Sequence, residues 1–283
     1  MKPFIVMRSH NDMPVTAETL AAVHRQDSPF DLIVFDNEST DGTLDAIKRY
    51  THRIVNIPRG TYVPGRVLNL GMEKTEGEFV VFLNSDCTPR DESWLGNLLK
   101  GFTGEDVAAV FGRQIPRPGC APLYAKDIED AFGDGSRQRF RRHCFSMASS
   151  AIRRSIWENM RFNEGLKISE DVDWTWRARQ RGFTIRYVPD SAVLHSHNYS
   201  LRQYAMRQYL EGRDEALIFD WSRWQRSLLR HSLLPWARRM LSDWRHCLGH
   251  LAFWPASWSP VLRTVQLVSR RAGFRAGLRE VSR

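Results

Sequence analysis

The sequence has 283 residues, of which 42% are hydrophobic and 26% are charged, and its formal net charge is +9. This composition predicts a globular chain with a core of ordinary size, and no apolar run approaches the roughly 18 residues of a membrane span. The apolar run near the N-terminus is too short for a signal peptide, so we expect a cytoplasmic protein.

The excess positive charge lies in the C-terminal segment. Residues 201–283 contain 15 arginines, no lysine and 6 acidic residues, whereas basic and acidic residues balance in the rest of the chain. We therefore expect a neutral domain over 1–200 and a basic, tryptophan-rich helical extension over 201–283. The four cysteines are widely scattered and form no C-x-x-C pair, which predicts reduced thiols at Cys87, Cys120, Cys144 and Cys247.

Strands and helices alternate along the first hundred residues. Apolar runs predict strands over 4–9, 30–37, 52–57 and 78–83. Helical spacing appears between them, over 18–26, over 65–75, in "DGTLDAIKRY" with Asp41 as its N-cap, and in "SWLGNLLKGF". Alternation of this kind, with strands that are apolar along their whole length, predicts an α/β fold with a parallel sheet covered by helices on both faces.

Polar side chains follow three of these strands, at the edge where the carboxyl ends of parallel strands meet. Turn preferences alone could explain any one of the loops, but three together predict a nucleotide pocket. Neither G-x-G-x-x-G nor G-x-x-x-x-G-K-[ST] is present, so we expect a divalent metal held by a carboxylate to bind the diphosphate. The loop residues are Arg8, Ser9, His10 and Asn11, then Asp36, Asn37, Glu38, Ser39 and Thr40, then Asn84, Ser85 and Asp86.

Five motifs resemble those of the inverting family 2 glycosyltransferases of GT-A fold. "IVFDNESTDGT" is similar to the strand-two motif, "NSDCTP" to the D-x-D element and "SEDVDWTWRARQRGF" to the E-D motif. "GTYVPGRVLNLGM" and "HSHNYSL" resemble the rhamnosyltransferase-like subgroup. The resemblance covers about residues 3–205, and it implies a Rossmann-like, mostly parallel sheet and a nucleotide-diphosphate sugar as donor.

The same resemblance implies a metal site for Mn²⁺ or Mg²⁺. It assigns Asp86 and His195 as ligands, with His197 in reserve, and Asn84 replaces the usual first acid of D-x-D. Taken singly, each histidine would more often be an ordinary loop or core residue. The nucleotide would contact Arg8, Ser9, Asp36, Asn37, Arg66, Asn69, Asn84 and Ser85.

The E-D motif implies that Asp171 is the general base and that Glu170 contacts the acceptor or orients the loop. Acidic residues also favour the first turn of a helix, and that explanation suits Asp173. The acceptor would meet Ala148, Ser149 and Trp174, although Trp174 and Trp176 cannot share one helix face. One of the two tryptophans is therefore expected in the core.

Two interpretations of residues 201–283 stay open. Leucines and tryptophans recur at helical spacing between arginines, which predicts amphipathic helices. These helices could dock on the catalytic domain or pair two chains as a homodimer. Alternatively they could bind an anionic membrane surface, which would make the protein peripheral on the inner face of the plasma membrane. In that case Trp236, Trp244, Trp254 and Trp258 would enter the interface.

The sequence therefore predicts a metal-dependent inverting glycosyltransferase of polysaccharide biosynthesis. Its donor would be dTDP-rhamnose or a UDP-sugar, and its acceptor a hydroxyl of a glycan or a lipid-linked oligosaccharide. One alternative is an inactive nucleotide-sugar-binding scaffold, suggested by the incomplete D-x-D. A nucleic-acid-binding protein is a further alternative, suggested by the basic composition, but residues 1–200 are neutral and carry no recognition motif, so we expect no nucleic-acid partner.

Overall fold

The computed structural model describes residues 2–136, 144–219, 221, 226–249, 251 and 253–281. The strands are β1 (Phe4–Ser9), β2 (Asp31–Asp36), β3 (Ile54–Asn56), β4 (Phe79–Asn84), β5 (Thr88–Pro89), β6 (Val107–Ile115), β7 (Ser149–Arg153) and β8 (Thr184–Leu194). The helices are α1 (Val15–His24), α2 (Thr43–Lys48), α3 (Pro64–Glu73), α4 (Trp94–Lys100), α5 (Pro122–Phe132), α6 (Arg154–Glu158), α7 (Glu170–Gln180), α8 (Leu201–Ile218), α9 (Leu234–Gly249) and α10 (Phe253–Val281), and π-helical Leu229–Leu233 leads into α9.

The strands form one sheet in the order β3-β2-β1-β4-β7-β6-β8-β5. The first four strands are parallel, as predicted, with Val6 opposite Ile33 on one side and Phe82 on the other. Strand β7 runs antiparallel between β4 and β6, so the sheet is mostly parallel rather than wholly so. Because β6 and β8 again run parallel to β4, their carboxyl ends lie at the same edge of the sheet.

Both faces of the sheet are covered, which is why β1 over Phe4–Met7 and β4 over Phe79–Leu83 are apolar at successive positions. Along β1, Val6 packs into one core cluster while Ile5 and Met7 pack into the other, as the alternation of strand side chains requires. Helices α3 and α7 supply residues to the first cluster. Helices α1, α2 and α4 supply residues to the second.

Strand order reverses between β1 and β4, which creates the crevice where α/β sheets bind ligands. The chain runs from β1 outward through β2 and β3, and then returns to place β4 on the other side of β1. The polar loops predicted from the sequence begin at this crevice. The N-cap of α2 differs from the expected Asp41: it is Gly42, with φ of 93°. Asp41, the residue before Gly42, accepts a hydrogen bond from the Thr43 N–H.

The chain divides into two compact units. The first comprises Met1–Pro118, Ile128–Leu166 and Glu170–Ser196 and contains the sheet. The second comprises His197–Arg283 together with Gly119–Asp127 and Lys167–Ser169. The boundary at residue 200 stays a prediction, but the second unit also takes in two short segments from earlier in the chain.

The second unit is held together by helix packing and buried ion pairs. Helices α8 and α10 approach so closely that a Cβ on Gly273 would lie 1.8 Å from the Tyr209 carbonyl oxygen. Arg263 is buried and donates to both Asp127 and Asp243 at 2.7 Å. A buried carboxylate, Asp214, accepts the backbone N–H groups of residues 167, 168 and 169 at 3.1, 3.0 and 3.3 Å. Within the described residues, no helix is long and apolar enough to cross a membrane.

Candidate active site

Arg8 and Asn84 face each other across the crevice, on the adjacent strands β1 and β4. The Arg8 guanidinium donates from Nε and Nη2 to the Asn84 Oδ1, at 3.1 and 2.8 Å. Arg8 Nη1 also lies 3.5 Å from a Glu170 carboxylate oxygen, which brings the start of α7 to the strand ends. The Asn84 oxygen is thus engaged by Arg8, in keeping with the expectation that Asn84 is a poorer metal ligand than an acid.

Asp86 and His195 meet just beyond the carboxyl ends of β4 and β8. The His195 Nε2 lies 3.4 Å from the Asp86 Oδ2. The His195 Nδ1 is 2.7 Å from the Gln114 Oε1. The Gln114 amide oxygen can only accept a hydrogen bond, so Nδ1 is the donor in this contact, and Nε2 is the ring nitrogen that faces Asp86. The structure therefore brings together the two predicted ligands, which lie far apart in the sequence.

This pair fits a divalent cation. Imidazole nitrogen and carboxylate oxygen are both ligands that Mn²⁺ accepts. The Cys87 thiol also lies within 4.8 Å of these atoms, but burial raises the pKa of Cys87 well above its ordinary value, so it stays a thiol and a poor ligand.

Asp12 is a site residue that the sequence reasoning missed. The Ser85 hydroxyl donates to the Asp12 carboxylate, which links the loop after β1 to the loop after β4. Burial raises the pKa of Asp12, with Asp86 adding to this effect and the Ser85 hydrogen bond opposing it. The position of Asp12, one residue beyond the polar loop that was recognised, is the only signal the sequence offers. Ser85, predicted to contact the nucleotide, is fully buried.

Glu170 and Asp171 open helix α7 beside Arg8. Glu170 is 4% exposed, and burial together with Asp171 raises the pKa of Glu170 to about 8 against the opposing effect of Arg8. Asp171 is half-buried, and its two carboxylate oxygens accept the backbone N–H groups of Met147 and Val172 at 3.2 and 2.8 Å. Two adjacent carboxyl groups thus have different environments: Glu170 is buried and its pKa is raised, whereas Asp171 is half-buried and accepts two backbone N–H groups.

The neighbours of this pair on α7 have structural roles. Asp173 lies in the first turn of α7 and pairs with Arg177 one turn along the helix, at 2.7 Å. Trp174 is fully buried and packs on Phe162 in the core. The predicted acceptor contact of Trp174 is therefore corrected, because its ring has no face open to a sugar. Trp176, on another face of the helix, is half-buried.

Asp36 and Asn37 end β2 at the same edge. Asp36 is buried, and its carboxylate accepts the Ser39 hydroxyl at 2.6 Å and the Ser39 N–H at 2.9 Å. The Asn37 N–H donates to the Ser9 carbonyl at 2.9 Å. The Ser9 hydroxyl and the Asn37 side-chain oxygen are buried without a hydrogen-bond partner in the described structure. Unpartnered polar atoms at a ligand edge fit the predicted nucleotide site.

Arg66 and Asn69 both lie on α3 and both contact Glu164. Asn69 is 3% exposed and uses its whole amide internally: it donates to the Phe162 carbonyl and to Glu164, and accepts from the Trp157 indole and the Phe162 N–H, each at 3.0 Å. The predicted contact of Asn69 with the base is therefore corrected to a structural role. Arg66 is exposed and its Nε lies 3.1 Å from the Glu164 carboxylate, so its phosphate contact stays a prediction.

Ala148 and Ser149 lie at the start of β7 and are buried. The Ser149 hydroxyl accepts the Trp94 indole N–H at 3.0 Å, and the Ala148 carbonyl accepts the Asn84 N–H at 3.0 Å. These contacts place Ser149 in the core framework rather than against an acceptor. The acceptor role of Ala148 stays a prediction. His197 packs on Tyr199 in the second unit, while His195 belongs to the first.

Comparison with known proteins agrees with this geometry. The model of the family described as Glycosyl transferase family 2 matches residues 4–161. The O-antigen chain rhamnosyltransferase WbaN of Salmonella anatum is 32% identical over 199 residues, which are 65% of this chain and 62% of that protein. The O-antigen chain rhamnosyltransferase RfbN of Salmonella typhimurium is 28% identical over 225 residues, covering 75% and 72% of the two chains.

Solved structures share the fold at low sequence identity. A mannosyltransferase from Pyrobaculum calidifontis in complex with GDP-Man and Mn²⁺ has a TM-score of 0.63 at 18% identity, covering 99% of this chain and 88% of that one. Glucosyl-3-phosphoglycerate synthase from Mycobacterium tuberculosis, with Mn²⁺, UDP and phosphoglyceric acid, has a TM-score of 0.56 at 20% identity, covering 75% and 76%. The solved structures share the fold of this chain, and the family match over more than half of its length shows that it belongs to glycosyl transferase family 2.

Proposed function

We propose that this chain transfers a sugar from a nucleotide-diphosphate donor, dTDP-rhamnose or a UDP-sugar, to a hydroxyl of a glycan or lipid-linked acceptor, with inversion at the anomeric carbon. The observation that carries the proposal is the convergence of two groups at one sheet edge. One is the Asp86–His195 pair, and the other is the Glu170–Asp171 pair beside Arg8.

Asp86 and His195 would hold Mn²⁺ or Mg²⁺. When bound, the ion neutralises charge on the leaving diphosphate and acts as a Lewis acid. Gln114, whose amide oxygen lies 2.7 Å from Nδ1, would fix the orientation of the His195 ring for a bound ion. With only these two protein ligands, the remaining positions would be filled by phosphate and water.

Asp171 is proposed as the base. As the acceptor oxygen bonds to the anomeric carbon, the bond to the diphosphate breaks and its electron pair leaves with the diphosphate. The hydroxyl proton passes to the Asp171 carboxylate. The backbone N–H groups of Met147 and Val172 donate to that carboxylate and so fix its orientation. Glu170, protonated at neutral pH, adds no second negative charge beside the base.

The choice of rhamnose rests on the relatives. Two curated proteins named O-antigen chain rhamnosyltransferases match 65% and 75% of this chain. An O-antigen chain is a glycan, which supports a saccharide acceptor.

A donor panel tests the proposal. The purified chain would be incubated with dTDP-rhamnose, UDP-glucose, UDP-N-acetylglucosamine and GDP-mannose, with Mn²⁺ and lipid-linked oligosaccharide, and release of nucleoside diphosphate would be measured. We expect acceptor-dependent release from dTDP-rhamnose above the other donors. Preferred release from GDP-mannose would overturn the donor assignment, and acceptor-independent release alone would overturn the acceptor class.

A further inference from the structure

A cluster of large apolar side chains is exposed where helix α9 ends and helix α10 begins. Leu248, Leu251, Phe253 and Trp254 are 59%, 76%, 67% and 78% exposed. These four residues, here called the apolar tip, fall within seven consecutive positions of the sequence. Isolated exposed apolar residues are ordinary on a protein surface, but four large ones so close together in the chain favour an interaction site.

An apolar stripe on α9 continues from the tip. Leu234, Leu241, Trp244 and Leu248 are all exposed, and their spacing of seven, three and four residues puts them on one side of the helix. A different side of α9 faces the interior of the unit. That side carries Asp243 and Cys247, which are both fully buried. The Trp244 indole N–H donates to the Ala256 carbonyl at 3.2 Å, which ties the stripe to the start of α10.

The charge bordering the stripe is positive. Arg238 and Arg245 are exposed and lie seven residues apart, on the side of α9 next to Leu234 and Leu241. The one acid of α9, Asp243, is turned inward to Arg263. No acidic residue occurs between Asp243 and Glu280, so nothing along the tip or the first half of α10 offsets the arginines.

We propose that the apolar tip and stripe dock on an anionic lipid surface, with Leu251, Phe253 and Trp254 entering the interface and Arg238 and Arg245 contacting lipid phosphates. Leucine, phenylalanine and tryptophan suit the boundary between headgroups and acyl chains, and arginine suits the anionic headgroups. A second copy of the chain is a poorer occupant. A two-fold contact over this surface would bring the same arginines together without acids to pair them.

The exposures of the tryptophan side chains change which of them we expect at such an interface. Trp254 is the most exposed, and Trp244 and Trp258 are each 41% exposed. Trp236 is half-buried on the inner side of α9, so its predicted place in the interface is corrected. The docking surface does not depend on the donor or acceptor proposed above.

Vesicle co-sedimentation of the full chain tests the proposal. We expect binding to phosphatidylglycerol-containing vesicles to exceed binding to phosphatidylcholine vesicles and to weaken with salt, because headgroup attraction is screened over about 10 Å at 0.1 M. The triple variant Leu251→Ser, Phe253→Ser, Trp254→Ser should lower the partition coefficient about tenfold or more. The double variant Arg238→Gln, Arg245→Gln should remove most of the preference for the anionic lipid.

Matched variants separate the surface from general effects. Val268→Ser with Val281→Ser removes two similarly exposed apolar side chains outside the tip, and Arg49→Gln with Arg59→Gln removes two exposed charges of the first unit. Both should bind vesicles as the native chain does. Lipids brominated on their acyl chains should quench tryptophan emission in the native chain and less so in Trp254→Phe. Equal vesicle binding by the triple variant, or a concentration-dependent dimer that this variant abolishes, would overturn the proposal.

Discussion

At the scale of single residues, the site separates two adjacent carboxyl groups by environment. Glu170 is buried against Arg8 and holds a proton up to about pH 8, whereas Asp171 is half-buried and accepts two backbone N–H groups. Asp173, two residues on, is committed to Arg177. Three acids in four positions therefore have three different environments, and substitutions that keep their shape can test their roles separately.

Asp171→Asn should lower the rate of sugar transfer on the order of 10²-fold or more while the donor still binds, because the amide keeps the shape but accepts no proton. Single-turnover kinetics and donor titration measure the two quantities. Asp173→Asn is the matched control, with expected transfer near that of the native chain. Near-normal transfer by Asp171→Asn would move the base to another group.

Asp86→Ala should abolish the part of nucleotide binding that depends on Mn²⁺ and leave binding in EDTA nearly unchanged. Thermal shift measures this, since a ligand that binds the native state raises its stability by mass action. His195→Ala should behave in the same way and His197→Ala as the native chain, with Asp45→Ala as a surface control. Equal losses with and without Mn²⁺ would contradict the metal role.

The raised pKa of Glu170 makes stability depend on pH. Since the folded state binds this proton more tightly than the unfolded chain, the stabilising contribution is complete below the ordinary pKa of 4.5 and is lost as the pH rises to about 8. Relative to Glu170→Gln, the free energy of unfolding of the native chain should fall over that range by up to roughly 1.4 kcal/mol per pH unit.

Urea denaturation across this pH range measures the difference. Glu164→Gln is the control from about pH 6 upward, because hydrogen bonds from Asn69 and Arg66 lower the pKa of Glu164 and the unfolded side chain is also ionised there. Its difference from the native chain should stay flat. A flat difference for Glu170→Gln as well would show that Glu170 is ionised when buried.

At the scale of elements, the close approach of α8 and α10 requires glycine at the points where the two helices meet. Gly212 and Gly273 have backbone carbonyls of the opposite helix at 2.1 and 1.8 Å from where a Cβ would be. Gly273→Ala should therefore destabilise the chain by roughly 1–3 kcal/mol, through the separation of the helices. Gly249→Ala, with nothing within 4 Å, should change stability by less than about 1 kcal/mol. Chemical denaturation compares them, and equal effects would contradict the packing argument.

Elements were predictable where local pattern decides them. The strands of 4–9 and 78–83 were found because the sheet buries them on both faces and leaves their sequence apolar. Strand β7 was missed because it carries polar residues whose partners lie far away in the chain. Ser149 accepts from Trp94, and Arg153 donates to the Val107 carbonyl. Asn69 was misjudged for the same reason, since its partners lie about ninety positions further on.

At the scale of the whole molecule, the arginines of residues 201–283 fall into two groups. Some form ion pairs inside the second unit: Arg263 pairs with Asp127 and Asp243, and Arg270 pairs with Glu211 and Glu215. Others, such as Arg238 and Arg245, face outward. Composition locates the excess charge but does not divide it between these groups, because the acids that neutralise Arg263 come from distant parts of the sequence.

The three N–H groups that Asp214 accepts belong to residues 167–169, and the next residue is Glu170. The backbone just before the Glu170–Asp171 pair is thus held in place by the Asp214 carboxylate, which lies beyond residue 200 in the sequence. Cutting the chain after the last recognisable motif would remove that anchor and leave the three N–H groups to solvent, so the backbone before Glu170 would lose its fixed position. We therefore expect the segment that contains every motif of the family to transfer sugar poorly by itself, and Asp214→Ala should lower transfer in the full chain while donor binding persists.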